Sequence, residues 1–337
     1  MKIEISSPLD MHLHLRDGAM LDNIAQCSSN SFAGAIVMPN LVPPVTSKEE
    51  IIAYKKRIQS AIKNDTFTPY MTLFFKNSYD YDFLSSIKEE ISAIKLYPAG
   101  ITTNSEGGVN GFDIESLKMT LNAMSELEIP LCIHGETNGF VMDRESEFIP
   151  IYEKIATAFP KLKIIMEHIT SKDSVQALDR FENLYATITL HHLIITLDDV
   201  AGGMLKPHLF CKPIAKRPED RFALRKLAFS GHPKVMFGSD SAPHPQHAKE
   251  SCGCAAGVFT APIALQVLTE LFLQNSTIEN LQKFVSDNAR NIYSNIVIPS
   301  KIVTLEKRSF IVPSNYGGVV PMFANEEIPF SIVDIKG

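Results

Sequence analysis

The sequence predicts an α/β chain whose eight strands close into a parallel (β/α)8 barrel, and three observations carry that expectation. Eight short β-branched or apolar runs alternate with longer amphipathic stretches, the pattern of a parallel sheet covered by helices. Eight is also the number of strands that closes such a barrel. No Gly/Ser-rich or Pro-rich linker breaks the alternation. The chain 1–337 therefore reads as one domain, although a prior of ~150 residues per domain points to two.

The first run is MHLHL (11–15), inside DMHLHLRDG. His12, His14 and Arg16 alternate with Met11, Leu13 and Leu15, so the two sets should occupy opposite faces of a strand. Same-face Cα atoms lie about 6.5–7 Å apart, close enough for two imidazoles to converge on one ion. The plainer reading is the solvent-facing side of an edge strand. GAIVMPN (34–40) follows, then an amphipathic stretch over 47–63 and the runs YMTLFF (70–75) and SAIKLYP (92–98). In 113–128, Ile114, Leu117, Leu121 and Met124 keep helical spacing, with Asp113 placed as N-cap. PLCIHGE (130–136), KIIMEH (163–168), YATIT (185–189) and KVMFGSD (234–240) complete the eight, separated by helical patterns over 146–158, 172–182 and 218–230. Residues 190–217 form a long connection after the seventh strand, and long loops in compact domains are usually functional. From about 296 to 337, KIVTLEK and PFSIVDI read as strands of a C-terminal appendage packed on the barrel.

Composition narrows the function. Hydrophobic residues make up 45% and charged residues 21% of the chain, an ordinary globular balance. A net charge of −6 offers no bulk attraction for nucleic acid or anionic lipid. MKIEISSPLD lacks the apolar core of a signal peptide, and no window reaches the ~18–20 apolar residues of a membrane span. A cytoplasmic protein without nucleic-acid or membrane partners is the expectation. Cys27, Cys132, Cys211, Cys252 and Cys254 are odd in number and lack the spacing of a disulfide scaffold. Cys252-Gly253-Cys254 can grip a soft metal, but structural or incidental roles suit these thiols better.

The ionisable residues at the C-terminal ends of the strands form a set. His12 and His14 close the first, Lys95 the fourth, His134 the fifth, His168 the sixth and Asp240 the eighth, where barrel enzymes place catalytic groups. One such histidine is more often a satisfied core residue. Six polar groups at one barrel end need partners, because each unsatisfied group costs ~1–3 kcal/mol. A metal centre supplies them, and imidazole plus carboxylate without thiolate suits Zn2+. A protonated Lys95 beside cations would be repelled. A lysine held neutral by burial can instead add CO2 and bridge two metals as a carbamate; the alternative is a snorkelling surface lysine.

Together, DMHLHLRDG, AIVMPNLVPPVT, AIKLYPAGITTNS, IHGE, EHIT, KPHLFCKPIAKR and GSDSAPH resemble dihydroorotase of the short bacterial type, in the amidohydrolase superfamily. The resemblance runs from residue 8 to about 293. It implies a distorted (β/α)8 barrel with a binuclear zinc site, and reversible hydrolysis of the ring amide of dihydroorotate to N-carbamoyl-L-aspartate in pyrimidine synthesis. By motif, it places His12, His14 and Asp240 on the more buried metal and His134 and His168 on the other. N6-carboxylated Lys95 and a hydroxide bridge the two. Asp240 is implied as base and then acid. Arg16, Asn40 and His244 match the residues that clamp the substrate carboxylate, and the backbone around Ala255 matches a further substrate contact. Thr102 and Thr103 match a mobile loop that closes over the substrate, and the family suggests a homodimer.

Two positions depart from the family pattern. Met11 stands where an aromatic is usual; pointing away from the ligand face, it should change packing only. Lys212 stands where an apolar residue usually contributes its backbone to the substrate site, which leaves that local contact open. Allantoinases and hydantoinases share the metal ligands. Arg16, Asn40 and His244 distinguish them, because these favour a ring carboxylate. A catalytically dead structural homologue should have lost ligands, and all six positions are present here.

Overall fold

The computed structural model describes residues 1–63 and 66–337. After an initial strand β1 (Lys2–Ser6), the chain winds through β2 (Leu9–Leu13), β3 (Gly34–Val37), β4 (Thr68–Phe74), β5 (Ala93–Leu96), β6 (Leu131–Ile133), β7 (Ile164–Met166), β8 (Leu184–Ile188) and β9 (Val235–Phe237). Strands β2 to β9 lie side by side in chain order, all parallel, with helices in the crossovers. Each overlaps one of the eight predicted runs, with β2, β4 and β8 starting one or two residues earlier than the run. The barrel closes just above the last strand, where Leu13 bridges Ser241, His14 N–H donates to Ser241 O at 3.3 Å and Asp240 N–H donates to His12 O at 2.8 Å. This seam sets Asp240 beside the two histidines of the first motif.

The alternation read from DMHLHLRDG fails at one point. Strand β2 pairs with β3 as Leu9 to Gly34, Asp10 to Ala35, then Leu13 to Val37, so one extra residue bulges out of β2. A bulge shifts the face on which later side chains fall. Met11 accordingly packs with Leu9, Ile36, Cys132, Ile165 and Met236, while Leu13 and Leu15 join the larger apolar layer that includes the helix residues. The expectation that Met11 points away from the ligand face is therefore wrong: it belongs to the layer of inward-facing strand residues. That layer is closed off by Ala289, Ile292 and Tyr293.

Further along the same strands the buried positions turn polar, with Thr72, Lys95, Glu167 and Thr187 all shielded from solvent. Gly238 makes room there, since a Cβ on it would stand 2.9 Å from the Cβ atoms of both His12 and Thr187. Neither is the end of a flexible side chain, so the strands themselves must shift. Gly238→Ala is expected to destabilise the fold by about 1–3 kcal/mol, the usual penalty of overpacking. A fall in the urea midpoint checks this; an unchanged midpoint would mean the seam absorbs the methyl group.

The helices start where the sequence places caps. Ser47 and Glu50 form a reciprocal capping box at the head of Lys48–Ala61, and the Asp113 side chain accepts from Ser116 N at 3.2 Å at the head of Ile114–Leu127. The pattern over 172–182 becomes a shorter helix, Lys172–Ala177, followed by a 3-10 turn. The connection 190–217 is more ordered than a loop, folding into Leu190–Ile194, Leu197–Ala201 and the turn Pro207–Leu209. In the tail, β10 (Ile302–Glu306) pairs antiparallel with both β1 and β13 (Ser331–Lys336), and β11 (Phe310–Ile311) with β12 (Glu327–Ile328). The appendage thus takes one of its strands from the N-terminus, which the sequence reading left unassigned.

Candidate active site

The six strand-end residues meet at one mouth of the barrel. The ligand atoms of His12, His14 and Asp240 all lie within 4.8 Å of one another, with His14 Nε2 3.2 Å and His12 Nε2 3.5 Å from Asp240 Oδ1. His134 Nδ1 and His168 Nε2 are 3.1 Å apart. The His12 and His168 rings, 4.9 Å between centroids, join the two groups. Lys95 lies fully buried, with Nζ 5.1 Å from the centroid of the Tyr97 ring. Arg16, His168 and Asp240 all have left-handed backbones, at φ 56°, 41° and 42°. Non-glycine residues rarely adopt that conformation and functional sites concentrate it.

Burial sets the protonation states. It pushes His14 down to about 4 and lowers His134 and His168 below the usual histidine range, so these imidazoles are neutral and keep lone pairs for ligation. It acts to raise Asp240 too, but the hydrogen bond from His14 and the field of His12 outweigh it and hold the carboxyl well below its ordinary value. For Lys95, burial again dominates and drives the ammonium toward the neutral amine. Among the described residues, Lys95 Nζ, His168 Nδ1 and Glu167 Oε1 are buried without a hydrogen-bond partner. A buried lysine amine without a partner, beside neutral imidazoles and an ionised carboxylate, is a donor set that a metal centre would satisfy, so the residues fit the ions that the sequence implies.

A narrow cavity opens over this cluster, lined also by Arg16, Asn40, Tyr97, Thr102, Thr103, Lys212, Ala256 and Gly257. Arg16 Nε donates to Pro243 O at 3.1 Å and its Nη2 lies 3.1 Å from His244 Nε2. That same ring nitrogen is 3.0 Å from Ala256 O. One nitrogen cannot donate to the carbonyl and also accept from the guanidinium, so a His244 bonded to Ala256 leaves Nη2 free. Burial, then the Arg16 charge, holds His244 neutral at about 3. Asp17 is no partner for Arg16, because it forms a paired contact with Arg57 at 2.8 and 3.0 Å. Among the described residues no carboxylate lies within ion-pair distance of Arg16.

The segment carrying Thr102 and Thr103 rests over the cavity. Asn40 Nδ2 donates to Thr103 O at 3.0 Å, Lys212 Nζ to Ile101 O at 2.8 Å and Lys76 Nζ to Gly107 O at 3.1 Å. Lys212, the departure from the apolar pattern, thus ties this segment down through its side chain. Ala255 lines an adjoining outer cavity, beside Thr102, Thr103 and Lys212. Its N–H donates to Ala248 O at 3.0 Å and its carbonyl accepts from Lys249 at 2.8 Å, while its neighbours Ala256 and Gly257 line the inner cavity.

Several residues of the site were not singled out from sequence. Glu167 Oε2 accepts from His12 Nδ1 at 2.8 Å and from Thr187 Oγ1 at 2.6 Å, fixing the His12 ring and presenting its Nε2 to Asp240. Glu136 does the same for His134 Nε2 at 2.8 Å. The available signal was a glutamate beside or two residues beyond a ligand histidine, in EH and HGE. Asp10, pushed up to about 6 by burial against the bonds it accepts from Ser239 and His12, braces the barrel seam.

No protein-family model matches the chain. It is 43% identical over 335 residues to a dihydroorotase of Helicobacter hepaticus, spanning 98% of this chain and 97% of that one. It matches the 2.4 Å crystal structure of a dihydroorotase from Campylobacter jejuni with a TM-score of 0.95 and 61% identity, covering 99% of this chain and 98% of the other. A Saccharomyces cerevisiae dihydroorotase, in complex with 5-fluoroorotic acid, matches with a TM-score of 0.92 and 33% identity over 98% of both chains.

Proposed function

The chain belongs to the dihydroorotase family, and from that premise we propose how its residues divide the reaction. The activity is hydrolysis of the cyclic amide of dihydroorotate to N-carbamoyl-L-aspartate, run reversibly, in pyrimidine biosynthesis. The family is metal-dependent, and the buried His/Asp cluster is the candidate site for metal. We assign two zinc ions to it: His12, His14 and Asp240 would hold one and His134 and His168 the other, with carboxylated Lys95 as a further ligand. When bound, such ions lower the proton affinity of water and polarise the amide carbonyl.

The chain's own residues do the rest. Asp240, ionised in the site, takes the proton released as water adds to the ring carbonyl and returns it to the ring nitrogen as the C–N bond breaks. Glu167 keeps His12 in one tautomer through Nδ1. Arg16 receives the substrate carboxylate at the opposite side of the cavity, with Asn40 and His244 beside it and the Ala255 and Lys212 segments bounding the pocket. The observation that carries this reading is Arg16 itself, a permanently charged guanidinium facing the cavity with no carboxylate in ion-pair reach. A partly buried cation of that kind calls for an anionic partner, and dihydroorotate brings one where an uncharged hydantoin does not.

Ring opening of dihydroorotate by zinc-replete protein, beside hydantoin, allantoin and a metal-stripped control, tests the assignment. Turnover confined to dihydroorotate and lost on stripping supports it. Turnover of hydantoin or allantoin but not dihydroorotate rejects Arg16 as the carboxylate anchor. A second prediction concerns the segment over the cavity. Replacing Thr102 and Thr103 together with valine removes two hydroxyls and should lower kcat by about tenfold or more, given ~1.5–3 kcal/mol for each hydrogen bond to a charged group. Bound zinc should stay nearly constant; a parallel loss of zinc would make the segment a structural support instead of a lid.

No helix among the described residues is long and apolar enough to cross a membrane. We place the enzyme in the cytoplasm as a homodimer, a reading supported by its resemblance to the short bacterial dihydroorotases.

A further inference from the structure

We propose that His191, His192 and Cys211 form a further metal site, separate from the reaction centre, that takes a thiophilic divalent ion such as zinc. The three are brought together from the two ends of the 190–217 connection, the histidines on the helix Leu190–Ile194 and the cysteine just past the turn Pro207–Leu209. All three are buried, and one ligand atom from each lies within 4.8 Å of the others. None of them lines the reaction cavity.

The spacing suits coordination. Zinc bonds of about 2.0–2.1 Å to nitrogen and 2.3 Å to sulfur put the corners of a tetrahedron roughly 3.3–3.6 Å apart. His192 Nε2 stands 3.5 Å from Cys211 Sγ, and the Pro213 carbonyl oxygen is 3.1 Å from the one and 3.2 Å from the other. That oxygen supplies a fourth corner. His192 is held in orientation by Thr189 Oγ1, 2.9 Å from its Nδ1, the outer contact expected of a ligand histidine.

His191 supplies the independent observation. Its ring lies 4.3 Å from that of His192, fully buried, and neither of its nitrogens has a hydrogen-bond partner. The large majority of buried side-chain polar atoms have at least one partner. Coordination through one nitrogen answers that need, and two imidazoles with a thiolate form a donor set that favours zinc over calcium or magnesium. The Cys211 proton leaves to solvent as the Sγ–metal bond forms. An ion here would pin the connection that carries Lys212 onto the segment holding Thr102 and Thr103.

Cobalt(II) makes the site visible, because a thiolate ligand gives a near-ultraviolet charge-transfer band that the imidazole and carboxylate ligands of the reaction centre do not. Metal-stripped full-length protein reloaded with cobalt should show this band, and Cys211→Ser should abolish it. The Cys252→Ser/Cys254→Ser double variant should retain it. Zinc-loaded Cys211→Ser and His191→Gln should each hold one ion fewer per chain than wild type, with ring-opening activity retained. Absence of the band in wild type, its survival in Cys211→Ser, or equal zinc in all three proteins overturns the proposal. Should Cys211→Ser not fold, His191→Gln alone decides: one ion fewer supports the site, and unchanged zinc with an unchanged band refutes it.

Discussion

Replacing Asp240 with asparagine is expected to cut kcat for ring opening by about 10²–10⁴-fold, the range typical of losing a positioned general acid–base group. Asparagine is a better test than alanine. The backbone at Asp240 is left-handed, at φ 42°, and asparagine tolerates that conformation where most side chains do not. The amide also occupies the same volume between His12 and His14. What it lacks is a carboxylate that can take the proton from water and hand it to the leaving nitrogen. Circular dichroism and the unfolding midpoint should therefore change little while kcat collapses. A variant that keeps kcat within tenfold of wild type would remove Asp240 from the proton path and turn attention to the other buried carboxylates of the cluster, Glu167 and Glu136.

The second large effect is expected at Lys95. Lys95→Gln nearly preserves side-chain length but cannot add CO2, so it should lower zinc affinity by more than the roughly 10–100-fold typical of losing an outer-shell partner, and abolish turnover with it. The chemistry yields a further check. Burial favours the neutral amine of Lys95, and carbamate forms from the neutral amine and CO2. Reconstitution of metal-stripped wild type should therefore be faster and more complete with bicarbonate than in degassed buffer, whereas Lys95→Gln should be indifferent to it. Bicarbonate-independent recovery of wild type would argue that Lys95 is not carboxylated and acts only through its position beneath the cavity.

The positions of the candidate ligands were legible because the information is local. A strand end is marked by where an apolar run stops, and barrel topology brings every such end to one mouth, so His12, His14, Lys95, His134, His168 and Asp240 were all found from runs of a few residues. The supporting contacts were not, because they join residues remote in sequence. His12 and Glu167 are 155 positions apart and Lys212 and Ile101 are 111 apart, and no short motif records either pairing. The direction of Met11 was misread for a related reason. A bulge is a property of the register between β2 and β3, and period-two alternation within β2 alone does not contain it.

The sequence by itself determined the strand count and the donor types gathered at the barrel mouth, since these follow from residue identity and spacing. Only the tertiary structure decided the protonation states, the freedom of Arg16 from any carboxylate, the tie between Lys212 and the segment above the cavity, and the meeting of His191 with Cys211. Those depend on which groups lose water together and at what separation, and desolvation and distance exist only once the chain has folded.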